Sequence, residues 1–339
     1  MSLTAKPAAA ELFHQNFIRG ANYTPGNKKY FSVSEPSENL LRVAMLESGW
    51  LMKNITLSDV ITERGDSISL GDNSLHTGRA MEGRFSKNTK IEGTPYLLEE
   101  TDTCASISYE QMSLIANSGR GDQEHFTNVM SDFFGKAVSL DMLRIGFNGE
   151  FAGFPTQPDV YTKGQDVNKG WHTIAKEFND GSQVITDEFT LGDSGDFPHL
   201  DALANYLIMN KIPEEFREDP RLVVLVGSEL ASITRTRLFN GADRPSDIAA
   251  SQTLLSSVAG RFALVPPFMP GRRLAVTTLD NLHIYTQKNT RRFRAEFIDD
   301  RSVYEHSYWR NEGYGLGNAF LYAAADEASI KLSENTYRS

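Results

Sequence analysis

The stretch Asp122–Phe147, DQEHFTNVMSDFFGKAVSLDMLRIGF, constrains this chain more than any other. Phe126, Met130, Phe133, Ala137 and Leu140 recur at steps of four and three. Val129, Phe134, Val138 and Ile145 form a second apolar row beside them. Two adjacent rows predict a helix with a stripe wide enough to lie against a sheet. Asp132 and Lys136, four apart with the acid first, suit an exposed helix face. Asp122 after Gly121 is an N-cap candidate, and Asn148-Gly149 is a stop signal. At about 1.5 Å per residue such a helix is roughly 39 Å long, about the width of a domain, so the other elements must be hung on it.

A chain of 339 residues suffices for one elaborate domain or two subdomains. Its formal net charge of −10 argues against a nucleic-acid binder that works through a basic face. The single cysteine, Cys104, excludes an intrachain disulfide and fits folding in a cytoplasm. The start, MSLTAKPAAAELF, lacks the pattern of a secretory signal. With no run of about 18 apolar residues, a membrane span is not expected.

Ahead of the long helix, Leu12, Phe13 and Phe17 fit one short amphipathic helix. Asn22–Pro36 is polar and Pro-containing, an extended arm, and Leu40–Met52 is apolar and helical until Gly49. Residues 55–110 read as strands around a lean stretch. Gly71–Pro95 holds four glycines and few apolar side chains. Within it, the stretch Arg79–Lys90 sets Arg79, Arg84, Lys87 and Lys90 against one acid, Glu82. A connection of about 25 residues with so little to bury is unusual in a compact domain. It is either a flexible surface loop or a long hairpin laid on another molecule. Cys104–Met112 reads as strand again.

Beyond the long helix, Phe151–Lys169 is a Pro- and Gly-rich loop and Trp171–Phe178 a short helix. Val184-Ile185 marks a strand, and Leu200–Ile212 an amphipathic helix ended by Pro213. The unbroken apolar run Leu222–Val226 predicts a buried strand. Ser228 would then cap a helix starting near Glu229. Phe262–Val265, Leu274–Thr278 and Leu282–Thr286 are strands. Arg292–Phe297 alternates strictly, which predicts one buried face and one wet or paired face. Val303–Trp309 and Ala319–Ala325 complete a late set of strands, and the tail beyond about Ile330 is polar. Trp171, Trp309 and Phe262 are core or interface residues on this reading.

No motif yields a catalytic constellation. Gly192-Asp193-Ser194-Gly195 resembles a serine-protease nucleophile loop, but no histidine sits in a matching context. Arg120-Gly121-Asp122 is the integrin tripeptide, for which a helix cap is the simpler account. Val226-Gly227-Ser228-Glu229 joins a strand to a helix, where anions can bind, yet it lacks the further glycines of a dinucleotide site and the Lys of a P-loop. Gly313–Gly317 has the wrong glycine spacing and no buried strand leading into it. The seven histidines are scattered and no cysteine cluster accompanies them, so spacing supports no metal site. No catalytic, cofactor-binding or metal residue is assigned.

Several strings in order resemble the major capsid proteins of P2-like tailed bacteriophages. They are Leu140–Gly149 (LDMLRIGFNG), Asp166–Trp171 (DVNKGW), Leu200–Leu203, and Glu218–Gly227 (EDPRLVVLVG). Leu279–Tyr285 (LDNLHIY), Arg291-Arg292 and Tyr304-Glu305 follow in the same order. The likeness runs over roughly residues 30–330.

This resemblance implies an α+β chain with the HK97-like capsid fold: a long spine helix, an extended β-hairpin loop, and peripheral and axial domains. On that pattern residues 1–55 are an N-terminal arm and 56–110 the extended loop. Residues 111–164 are the peripheral domain with the spine helix at 122–147, and 165–270 the axial domain. Residues 271–339 are strands returning from axial to peripheral domain. The implied function is structural, not enzymatic: a major capsid protein assembling as hexamers and pentamers into an icosahedral head around double-stranded DNA, without sequence-specific binding. Implied partners are further copies of itself, a scaffolding protein, a maturation protease and a portal protein, with no membrane and no cofactor. The implied location is the virion, after assembly in the host cytoplasm. Candidate intersubunit contacts are Arg79, Arg84, Phe85, Lys87 and Lys90. The candidate cleavage region is Tyr30 and Phe31. Two rivals stand beside this reading. One is a soluble α/β enzyme holding an anionic ligand at the Val226–Glu229 turn; the other is a scaffold-like partner that forms no shell.

Overall fold

A computed structural model of the chain describes residues 7–20, 51–69, 77–79, 92–118, 123–192, 195–240 and 257–332. The expected arm at 22–36, the helix at 40–49 and the Asp122 cap lie outside these residues, as does the Arg120–Asp122 tripeptide. The helices, in chain order, are α1 (Ala8–Gly20), α2 (Tyr109–Ser118), α3 (Gln123–Asn148), α4 (Trp171–Glu177), α5 (Leu200–Lys211) and α6 (Ser228–Asn240). The strands open with β1 (Thr56–Val60), β2 (Arg64–Ser69), β3 (Glu92–Leu97), β4 (Glu99–Ser108), β5 (Val184–Ile185), β6 (Phe189–Leu191) and β7 (Leu222–Val226). They continue with β8 (Ser257–Val258), β9 (Arg261–Leu264), β10 (Leu274–Thr278), β11 (Leu282–Gln287), β12 (Arg292–Ile298), β13 (Val303–Leu316), β14 (Ala323–Ala325) and β15 (Ile330–Leu332).

The chain forms two compact units, one of residues 1–63, 98–143 and 285–313, the other of 64–97, 144–284 and 314–339. In the first, β1, β11, β13 and β12 lie in that order, and β4 pairs with β13 over its whole length, from Val303 opposite Ser108 to Glu312 opposite Glu99. The long helix is present at Gln123–Asn148. Its buried row is Phe126, Met130, Phe134 and Val138, a strict step of four, whereas Phe133 and Leu140 stay 39 % exposed. The expected row through 126, 130, 133, 137 and 140 is therefore corrected. Phe126, Met130 and Phe134 pack with Phe13, Ile107, Met112 and Tyr304. Phe134 stacks on His306 at 4.8 Å. Burying each such aromatic or Met side chain contributes about 2–3 kcal/mol. On β12 the alternation is only partly realised: Phe293 is buried, but the residues after it are half-covered on both faces.

The strand expected over Cys104–Met112 stops at Ser108, and α2 begins at once. Ser108 and Gln111 exchange bonds, the Gln111 amide donating to Ser108 Oγ at 3.2 Å and the Ser108 amide to Gln111 Oε1 at 3.1 Å. This is a capping box, which ends a strand and nucleates a helix in one step.

The second unit is built on a sheet ordered β5-β14-β10-β7-β9-β8. All five residues of β7 are buried, as its unbroken apolar run requires. Helix α5 packs Leu200, Leu203, Ala204, Leu207 and Ile208 into the same core. His199 caps it, Nδ1 accepting the Ala202 amide at 3.1 Å, and the helix closes before Pro213. Trp171 on α4 is 1 % exposed and donates Nε1–H to His283 O at 2.9 Å. Its ring lies so close over Gly146 that a Cβ there would fall 2.4 Å from Trp171 Cζ3. Ala323–Ala325 pairs with β10 rather than joining β12 and β13, and the glycine-rich 313–316 segment is the end of β13. Ile330, beyond which a polar tail is expected, is 1 % exposed and opens β15, which runs parallel to β6. Phe262, expected in a core or interface, is 58 % exposed.

Candidate assembly surface

The lean stretch is flanked by a regular hairpin. β2 and β3 pair antiparallel from Arg64 opposite Leu97 to Ser69 opposite Glu92. The two strands carry glycines that let them approach: a Cβ on Gly65 would meet Tyr96 Oη at 2.5 Å, and one on Gly93 would meet Asp66 Cβ at 2.7 Å. Arg64, Asp66, Gly93 and Pro95 are exposed, Leu97 is 44 % exposed, and Thr94 is buried. A hairpin with this pattern places little apolar surface in its own unit. Past it, Arg79 is exposed, along with Thr77 and Gly78. Arg84, Phe85, Lys87 and Lys90 lie outside the described residues, as do Tyr30 and Phe31.

The rival anion site is overturned by its own backbone. At the start of α6 the amides of Glu229 and Leu230 both donate to Gly271 O, at 3.0 and 3.1 Å. The Gly227 amide donates to Arg273 O at 2.8 Å. A Cβ on Gly227 would lie 2.3 Å from two backbone oxygens, those of Gly271 and Pro270, so the turn is filled by its neighbouring loop. Glu229 adds a carboxylate, paired with Arg272 at 2.7 Å. Donors already engaged beside a negative side chain do not hold an anion.

The second unit also gathers charges that sequence spacing hid. His172 Nε2 lies 3.5 Å from Asp326 Oδ1, and Lys176 Nζ lies 2.5 Å from Asp326 Oδ2. Arg273 grips Glu327 with two bonds, at 2.8 and 2.9 Å. His172, Asp326 and Glu327 are within metal-ligand distance of one another. Lys176 and Arg273, however, already neutralise both carboxylates, so the group reads as a structural ion-pair network. Burial pushes the His172 pKa down to about 4. Burial alone would raise Asp326, but hydrogen bonds from His172, Glu327 and Lys176 bring it well below the usual carboxylate range. Burial raises Glu327, partly offset by Arg273.

Surface apolar residues are the other feature spacing did not reveal. Leu114, Phe154 and Val160 are 65, 103 and 65 % exposed. No periodicity marks such residues, because a side chain in a loop or on a helix rim carries no burial signal of its own.

An α+β chain built on a 26-residue helix, with a long antiparallel sheet and a lean hairpin, has the HK97-like capsid fold. Residues 13–328 match the phage major capsid protein, P2 family, and the chain belongs to that family. The capsid proteins of Escherichia phage P2 are 24 % identical over 281 residues, covering 78 % of this chain and 77 % of the relative. The major capsid protein of Serratia phage KSP20 is 22 % identical over 282 residues, covering 76 and 77 %. A solved structure of the satellite phage P4 procapsid including size determination (Sid) protein has a similar chain. It superposes with a TM-score of 0.75 at 21 % identity, over 96 % of this chain and 98 % of that one.

Proposed function

We propose that copies of this capsid protein associate as hexamers and pentamers and close an icosahedral head around a double-stranded DNA genome. The observation that carries this reading is the β2–β3 hairpin, which leaves Arg64, Asp66, Gly93, Pro95 and Leu97 without cover in their own chain and leads in sequence to the basic run Arg79–Lys90. Sister copies would supply that cover. Arg79, Arg84, Phe85, Lys87 and Lys90 would contact acidic surface on a neighbour, which a chain of net charge −10 offers in plenty. Single contacts of this kind are weak, but each subunit meets several neighbours at once. The sheet-and-spine unit would serve as peripheral domain and the β7-centred unit as axial domain.

The role is structural rather than enzymatic. An acidic shell protein does not grip DNA at many phosphates, which leaves the genome free to be packed and ejected. A scaffolding protein, a portal protein and a maturation protease cutting near Tyr30 and Phe31 would act during assembly in the host cytoplasm. Electron microscopy of the expressed protein, with and without its scaffold, tests the reading. Shells or hexamers are expected; a stable monomer under both conditions would reject it.

A further inference from the structure

The loop after the long helix presents an apolar knob on a fixed frame. Phe154 is fully exposed at 103 %, with Val160 at 65 % and Phe151 at 39 % beside it in sequence. The frame is built on Asp166, which is 3 % exposed. Its backbone oxygen accepts the Gly153 amide at 2.7 Å, and its Oδ2 accepts the Gln157 amide at 2.5 Å. The Glu150 and Phe151 amides both donate to Gln165 O, at 2.8 and 3.1 Å, and the Tyr161 amide donates to Gln157 O at 2.9 Å. A loop held at both ends and in the middle presents its aromatic side chain to water on an ordered backbone. Such a ring loses little entropy when it docks.

The same unit contains a matching hole. A pocket of about 160 Å³ opens between α5, α6 and the β8–β9 edge, lined by Leu200, Val226, Val258, Ala263 and Val265. An apolar cavity of about 150 Å³ accepts a benzene ring. Arg235, exposed, also lines this pocket. Asp159, exposed, lies between Phe154 and Val160 on the knob. Those charges are complementary. Asp201, the acid in the pocket wall, is engaged, its Oδ1 accepting the Ala259 amide at 2.7 Å.

We propose that Phe154 of one copy inserts into this pocket of a neighbouring copy, with Asp159 meeting Arg235 at the rim. The occupant is a second copy because Phe154 stands in solvent within its own chain and the family builds shells of one repeated protein. Knob and hole are different residues of the same chain, so each copy can give one and take one, and head-to-tail repetition can close a ring. The inference rests on the shell-building role described above.

Cysteine pairing tests it in full-length protein carrying Cys104→Ser. Phe154→Cys copies and Val265→Cys copies are co-assembled into shells and mildly oxidised. A cross-linked dimer is expected in the mixture and not in either variant alone. Its absence from formed shells, or an equal yield of dimer from either variant alone, would overturn the proposal. Separately, Phe154→Ser should raise the concentration needed for assembly roughly tenfold or more, as for loss of an aromatic anchor, with subunit melting unchanged. Asp159→Lys and Arg235→Glu should each weaken assembly and together restore it; additive losses would refute the pairing even if Phe154→Ser proved unstable. Wild-type protein in the same experiment separates the two ideas: no wild-type shells would reject the capsid reading, while normal shells from every variant would reject only this contact.

Discussion

Single side chains in this protein are tuned chiefly by burial. His306, stacked on Phe134 inside the first unit, has its pKa lowered by burial from 6.5 to about 4. Above about pH 6.5 it is neutral in both folded and unfolded chains, and its contribution to stability is complete. Between 6.5 and 4 the unfolded chain takes the proton while the folded chain does not, so stability falls as pH falls. At about 1.4 kcal/mol per unit, the loss across that window is of order 3 kcal/mol. His306→Phe should therefore lose less stability than wild type between pH 7 and pH 5 in denaturant titrations. Equal slopes for the two proteins would show that His306 is not buried neutral. His172 follows the same direction within its network, so some slope will persist in the variant. Neither environment was visible in the sequence, where both residues are isolated histidines. The capping box at Ser108 and Gln111 is written in the sequence as Ser-x-x-Gln, directly behind a strand-like run that masks the helix start.

Among the elements, α3 shows what periodicity can and cannot say. Its extent, 26 residues, matches the apolar pattern to within one residue at each end. The pattern contains two rows, however, and the covered face takes residues from each: Phe126 and Met130 from one, Phe134 and Val138 from the other. The structure places Met130 at 0 % exposure and Phe133 at 39 %. Met130→Ala should then cost about 2–4 kcal/mol of subunit stability, and Phe133→Ala about 1 kcal/mol or less. Calorimetry of both variants checks the order; a reversed order would mean the helix is turned the other way. β7 needed no such choice, because a strand apolar on every residue must be covered on both faces. β14 is the opposite case: a run of three alanines says nothing about which strand it will pair with.

Taken whole, the molecule divides its surface between what it covers itself and what it leaves to others. Removing Gly78–Lys90 should leave a folded subunit, melting within a few degrees of wild type, that forms no ordered shells by electron microscopy. A deletion that unfolds the isolated subunit would place this segment in its own core. Should a protease cut near Tyr30 and Phe31, intact mass measurement of virion protein will find about 30 residues missing, since polar terminal arms are accessible substrates. A full-length mass in DNA-filled heads would reject processing. By itself the sequence determined the long helix, the buried β7 run and the ordered strings that carry the family. These are local properties, written in the period and composition of neighbouring residues. Only the tertiary structure decided which residues of α3 are covered, that Gly271 occupies the α6 amides, that His172 meets Asp326, and that an apolar pocket and an exposed Phe154 share one unit. Such facts arise from contacts between segments distant in sequence, where shape and hydrogen-bond geometry select among partners that local pattern leaves equivalent.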